Sequence, residues 1–106
     1  MTHEILPGDA NALLAKGALL LDVREHDEWA EAHVDDSTHI PLGELAGRVH
    51  ELPQDRTIVC MCRSGRRSAQ ALQTLLDGRK NKPPVYNLTG GILAWTKAGL
   101  PTVRDA

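Results

Sequence analysis

Along this chain, short apolar runs alternate with longer stretches in which apolar positions recur every third or fourth residue. The runs His3–Leu6, Leu19–Val23, Thr57–Met61 and Val85–Leu88 predict buried strands. Thr38–Ile40, just ahead of Pro41, predicts a short fifth strand. Between them lie helical patterns. Asp9–Lys16 follows Pro7–Gly8 and carries Leu13 and Leu14, Asp27–Ala32 carries Trp29, and Gly43–Leu52 stops before Pro53. Ser68–Asp77 has the clearest pattern, with Ala69, Leu72 and Leu76 on one face and Gln70, Gln73 and Thr74 turned away. Gly78 occupies its stop position, followed by Arg79 and Lys80. A last helix, Gly91–Ala98, ends at Gly99 and Pro101. Strands alternating with helices of this length predict an α/β fold, a mainly parallel sheet covered on both faces.

With 106 residues the chain has room for one domain of ordinary size, and residues 1–106 are read as one unit. Aliphatic side chains suffice for a core, while aromatic residues are scarce: Trp29, Tyr86 and Trp95, with no Phe. The formal net charge of -2 gives no general attraction to nucleic acid or to a membrane surface, so any positive field must be local. Ala18–Leu21, the longest apolar run near the N-terminus, is too short for a secretory signal or a membrane span. Cys60 and Cys62 have only Met61 between them, and a disulfide across that gap would be strained. Reduced thiols predict a cytoplasmic protein.

The densest positive charge lies in Cys62–Ser68, read as CRSGRRS. Ligands of open parallel sheets bind outside the carboxyl ends of the strands, where this segment is expected. Backbone N–H groups of Arg63–Ser68 are free of strand pairing and not yet committed to a helix. Gly65 permits a tight curl that turns them toward the Cys62 sulfur. A helix N-terminus and the side chains of Arg63, Arg66 and Arg67 add positive potential. All of this favours thiolate over thiol, the form in which cysteine is a nucleophile. Cys60, inside the strand, reads instead as a small buried hydrophobe.

The same segment resembles the active loop of the rhodanese family, which often reads C-x-x-G-x-R-S. Supporting segments stand in order: LLDVREHDEWAEAHV, HIPLGEL, IVCMCRSGRRSAQAL and VYNLTGGILAWTKAGLP, together spanning about Ile5 to Pro101. The resemblance implies a rhodanese-like five-stranded sheet between helices, and transfer of sulfane sulfur through a persulfide on Cys62. In that reaction the thiolate attacks the outer sulfur of a small anionic donor such as thiosulfate, and a nucleophilic acceptor then takes the sulfur. Arg63, Arg66 and Arg67 would attract the donor, with Ser64 and Ser68 as hydroxyl donors. Cyanide, glutathione, thioredoxin and a dedicated protein acceptor all remain open. No metal and no organic cofactor is implied.

The chain departs from the family pattern at AHVDDSTHIPL, where Ala32, Asp35 and Asp36 replace a glycine, a proline and a glycine. That departure touches a surface turn. Asp22 and Arg24 read as architectural, a salt bridge or a loop-fixing hydrogen bond, His33 as structural, and TGG (Thr89–Gly91) as a tight helix entry. No role is assigned to the connection Asp77–Pro84. One alternative is a non-catalytic rhodanese-like binding module, which commonly lacks the cysteine kept here. Another is a phosphatase or arsenate reductase with a His-Cys-x5-Arg signature. Counted from Cys62 the arginine position is Ser68; counted from Cys60, Arg66 fits, but Val59 stands in the histidine position and the glycine falls out of place. A metal site would consume both cysteines, and no histidine is spaced to join them.

Overall fold

The structure is a computed structural model and describes residues 3–79 and 82–104. Five strands form one parallel sheet in the order β1-β5-β4-β2-β3. They are β1 (Glu4–Ile5), β2 (Leu19–Asp22), β3 (Thr38–His39), β4 (Ile58–Met61) and β5 (Val85–Leu88). The helices are α1 (Pro7–Ala15), α2 (His26–Glu31), α3 (Leu42–Arg48), α4 (Arg66–Leu76) and α5 (Gly91–Lys97).

Central β4 shows why the apolar runs are continuous. Ile58 and Cys60 pack on one face with Leu45 of α3 and Ala71, Leu72 and Leu75 of α4. Val59 and Met61 pack on the other with Ala10 of α1 and Ile92 and Trp95 of α5. A strand covered on both faces has no polar side to show in its sequence. Cys62 follows β4 directly and keeps the alternation, joining the α3–α4 side.

Element limits differ from the sequence reading where capping decides them. Helix α1 begins at Pro7 rather than Asp9, because a proline in the first turn lacks an N–H that would be unpaired anyway. Helix α3 ends at Arg48, and Val49–Glu51 continues as a 3-10 turn. Pro53 disfavours helical backbone at Leu52, so the chain leaves in extended form while Leu52 stays buried. Most consequential is α4, which begins at Arg66, two residues earlier than expected. Gly65, at φ +105°, turns the chain straight from loop into helix. The arginines in the first turn carry no apolar periodicity, so the sequence pattern begins after the helix does.

The expected ion pair of Asp22 and Arg24 is buried and does more than neutralise charge. Arg24 donates to Asp22 from Nε and Nη2, and to the carbonyls of Glu28 (3.3 Å) and Ala32 (2.6 Å), which fixes α2 over the carboxyl end of β2. His33 pairs in antiparallel fashion with Val103, and its ring stacks on Trp29 at 3.8 Å. Asp36 stands at φ +63°, the left-handed region that a glycine, the residue the resemblance would place there, adopts without cost. In the connection after α4, Lys80 and Asn81 lie outside the described residues. Arg79 turns inward, and its guanidinium donates to the carbonyls of Pro53 (2.9 Å), Arg56 (2.8 Å) and Pro83 (3.2 Å). It thereby ties together the two loops that lead into β4 and β5.

Candidate active site

Four residues, 62–65, separate the end of β4 from the first turn of α4. Beyond Met61 the ladder to β2 and β5 stops, so the loop amides are free to turn inward. The Gly65 amide donates to Cys62 Sγ at 3.1 Å, and the Ser68 hydroxyl lies 3.3 Å from the same sulfur. Burial by itself would push the Cys62 thiol up. Hydrogen bonds from the Ser68 hydroxyl and from the amides of Ser68, Gly65 and Ser64 outweigh it and hold the pKa below the ordinary thiol value. Residue 62 is only 1% exposed, so a partner reaches its sulfur only with a narrow, terminal atom.

The sequence-predicted residues therefore divide into two groups. Cys62, Ser64, Gly65 and Ser68 form the sulfur's immediate surroundings through backbone or side chain. Arg63 and Arg66 are exposed at the rim. Arg67 is tied down, donating from Nη1 and Nη2 to the two oxygens of Glu28 at 2.7 and 2.9 Å. Its side chain remains close enough to Cys62 for their charges to interact. The Arg67 guanidinium holds the Glu28 carboxyl down at about 2 against the opposing effect of burial, with help from the Glu25 amide. One carboxylate thus caps α2 and anchors α2 to the start of α4.

Three contributors come from elsewhere in the chain and were not singled out in the sequence. Glu28 is one. Asn87 of β5 is another, donating to the Gly65 carbonyl at 3.1 Å and accepting from the Ser68 hydroxyl. The third is Gly91, read only as part of a helix entry. The first amides of α5 hold the cysteine loop from behind, Ile92 donating to the Cys62 carbonyl (2.9 Å) and Leu93 to the Arg63 carbonyl (3.3 Å). A Cβ on Gly91 would stand 2.4 Å from both of those carbonyl oxygens, so the close approach requires glycine. The sequence signal available for it was the adjacent pair Gly90–Gly91, more than one helix entry needs.

Beside the loop a half-open groove of about 350 Å³ runs between α2 and α5, with Glu28, Glu31, Arg63, Leu93 and Thr96 on its walls. A larger cavity of about 460 Å³, lined by Leu14, Leu20, Val34 and Trp95, includes none of the loop residues. Of the two, only the smaller touches the cysteine loop, through Arg63. Among the described residues no group of three or more His, Cys, Asp or Glu side chains is placed to hold a metal ion. Among them also, no helix is long and apolar enough to cross a membrane.

A parallel α/β sheet whose central strand delivers a cysteine into a ring of donors at a helix N-terminus defines a class of protein. The chain belongs to the rhodanese-like domain family, whose model matches residues 6–98. It is 41% identical over 105 residues to a sulfurtransferase of Allochromatium vinosum, covering 97% of this chain and 96% of that one. Other curated relatives, from Bacillus subtilis, Synechocystis and Mycobacterium tuberculosis, are longer, and the chain spans 40%, 47% and 38% of their lengths. In structure it is similar to a rhodanese-related protein of Thermoplasma volcanium, with a TM-score of 0.86 at 31% identity, covering 95% of this chain and 97% of that one. It is similar also to a thiosulfate sulfurtransferase of Pseudomonas aeruginosa, with a TM-score of 0.86 at 29% identity, covering 99% of this chain and 21% of that one.

Proposed function

We propose that residues 1–106 act as a single sulfurtransferase domain that carries sulfane sulfur on Cys62. The Cys62 thiolate attacks the outer sulfur of thiosulfate, the sulfur–sulfur bond of the donor breaks, and its electron pair leaves with sulfite. The persulfide anion is held by the amides of Ser64, Gly65 and Ser68, with the Ser68 hydroxyl 3.3 Å from Sγ as a further donor within reach. A nucleophile, cyanide or a thiol, then takes the outer sulfur and returns Cys62 to thiolate. Arg63 and Arg66 at the rim draw in the donor's sulfonate, while Arg67, paired with Glu28, holds the loop against α2. Two free thiols suit a reducing compartment such as the cytoplasm.

The observation that carries this reading is the stabilised, deeply set sulfur of Cys62. It is served by hydrogen-bond donors, and its narrow access suits the terminal sulfur of thiosulfate. The test is mass spectrometry of the protein after thiosulfate treatment, with peptide mapping. A gain of one sulfur atom on Cys62, lost again on addition of cyanide, is expected. An unmodified Cys62 would overturn the reading and favour a binding module.

A further inference from the structure

Asn87 is 3% exposed and lies behind the cysteine loop, one strand away from Cys62. Its amide nitrogen has two acceptors, Glu4 Oε2 at 2.9 Å and the Gly65 carbonyl at 3.1 Å. With both N–H groups engaged, the amide has one orientation, and Oδ1 faces the Ser68 hydroxyl at close range. An amide oxygen only accepts, so Ser68 must donate to it. Yet Ser68 has a single hydroxyl proton, and its oxygen also lies 3.3 Å from Cys62 Sγ.

While Cys62 is a thiol the arrangement is complete: the S–H donates to Ser68 Oγ, and the Ser68 O–H donates to Asn87. Once the sulfur is an anion, as thiolate or persulfide, it has no proton to give and needs a donor. The Ser68 proton can then serve the sulfur only by leaving Asn87 Oδ1, a buried acceptor with no other partner among the described contacts. We propose that Asn87 is a positioning residue that competes with the Cys62 sulfur for the one Ser68 proton, and so limits how strongly that sulfur is stabilised as an anion. The limit has a use, because a thiolate's nucleophilicity falls as its basicity falls. A sulfur held too well would neither attack a donor nor give up its cargo readily.

Other charged or titratable groups surround the same sulfur. Arg67 of α4 faces it, with Glu28 of α2 behind; Cys60 lies on β4; Arg63 and Arg66 stand at the rim; Glu4 of β1 lies beyond Asn87. Each keeps its identity in every variant compared below; Asn87→Leu also removes one donor from Glu4 Oε2, a change common to the single and the double variant, so comparing Asn87→Leu with and without the Ser68 hydroxyl reports the Ser68 proton. The inference rests on Cys62 being the sulfur carrier, but its test reads ionisation and not turnover, so either can fail without the other.

The experiment follows thiolate absorbance and the rate of iodoacetamide alkylation of Cys62 against pH in wild type, Asn87→Leu, Ser68→Ala and the double variant. Asn87→Leu is expected to move the profile to lower pH, giving roughly three- to tenfold more thiolate at a fixed pH below the midpoint, the worth of one hydrogen bond. Ser68→Ala moves it to higher pH, and adding Asn87→Leu to Ser68→Ala changes nothing further. If Asn87 only braces the Gly65 carbonyl, its loss loosens the loop and moves the profile to higher pH, with or without the Ser68 hydroxyl. That outcome overturns the proposal. Wild-type protein offers a check that needs no folded variant: the carbon-13 resonance of the Asn87 side-chain carbonyl should titrate in step with the Cys62 thiolate. A flat Asn87 resonance overturns it as well.

Discussion

Cys60 and Cys62 leave the same stretch of chain on the same side of the sheet, two residues apart, at 0% and 1% exposure. Their acidities nevertheless move in opposite directions. Burial pushes the Cys60 thiol up to about 12, and the Arg79 charge opposes it only weakly. Cys62 is also penalised by burial, yet it ends below the ordinary value. The difference lies in what the surrounding amides are doing. At Cys60 the chain is in register with Leu21 of β2 and Asn87 of β5, so the nearby N–H groups belong to the ladder. At Cys62 the ladder has ended and helix bonds have not begun, which leaves N–H groups of the loop available to a sulfur. The direction in which each thiol's acidity moves is set by the position of the strand's end more than by depth.

The sharpest break of that comparison exchanges each sulfur for oxygen. Cys62→Ser is expected to abolish sulfur transfer from thiosulfate to cyanide, and Cys60→Ser to retain most of it. Circular dichroism must accompany the assay, because a serine hydroxyl without a partner at residue 60 costs about 1–3 kcal/mol in stability. Equal loss in two folded variants would point to a dithiol mechanism and erase the distinction between the two thiols.

Next in size is Gly91→Ala. The added methyl meets backbone oxygens of Cys62 and Arg63, which cannot swing away as a side chain could, and φ at this position is +59°. Left-handed backbone and overpacking together predict a loss of about 2–4 kcal/mol in stability. Because the strain falls on the cysteine loop, the donors leave the sulfur, turnover drops at least about tenfold, and the Cys62 profile moves to higher pH. Cys60, held in the ladder, stays unreactive. A variant with lowered stability but an unchanged Cys62 profile would show that the loop keeps its shape without support from α5.

How much of this was legible in the sequence follows from the range of each interaction. The run Val85–Leu88 was bounded correctly because Pro83–Pro84 and Thr89–Gly91 punctuate it locally. The placement of Cys62 at a strand's end was legible for the same reason, as an apolar run meeting a glycine and charges. The start of α4 was misplaced by two residues because Arg66 and Arg67 give no periodic signal. Glu28 and Asn87 could not be reached by local pattern at all, and Gly91 only as one of an adjacent pair of glycines, since their roles exist only where α2, β5 and α5 come against the loop. Arg79 carried a misleading signal, its charge suggesting solvent while its guanidinium is enclosed by three carbonyls.

Smaller effects are expected from the rim. Arg63→Ala and Arg66→Ala remove exposed charges that act on the incoming donor and touch neither thiol's hydrogen bonds. Each is expected to raise KM for thiosulfate about two- to fivefold while kcat changes less, the sign of binding lost equally from ground and transition states. Arg67→Ala should differ by lowering kcat too, since it releases Glu28 and the brace between α2 and α4. Steady-state kinetics on the three variants separate these outcomes. An unchanged KM for both Arg63→Ala and Arg66→Ala would mean that the rim arginines serve another partner, such as a protein acceptor.

The finest test sets the two thiols against each other through the pH dependence of stability. Cys60 has a folded pKa raised above its unfolded value, so its contribution is fully present below the unfolded pKa, near 9, and is lost as pH rises toward 12. Cys62 has a folded pKa lowered below its unfolded value, so its contribution is present above the unfolded pKa and is lost as pH falls through the folded one. Urea denaturation under reducing conditions, followed by tryptophan fluorescence at pH 8 and pH 10, reads the first effect. Wild type should lose about 1 kcal/mol more than Cys60→Ala across that interval, because the unfolded chain can ionise a thiol that the folded chain keeps protonated. The cavity left by Cys60→Ala costs the same at both pH values, and every other ionisable group is common to the two proteins, so the difference isolates the thiol. Cys62→Ala should show the opposite trend, losing the gain that wild type makes as pH rises toward the unfolded value. Parallel pH dependence in the two variants would mean that the strand's end does not separate their electrostatic environments, and that the ring of amides around Cys62 is too loose to hold an anion.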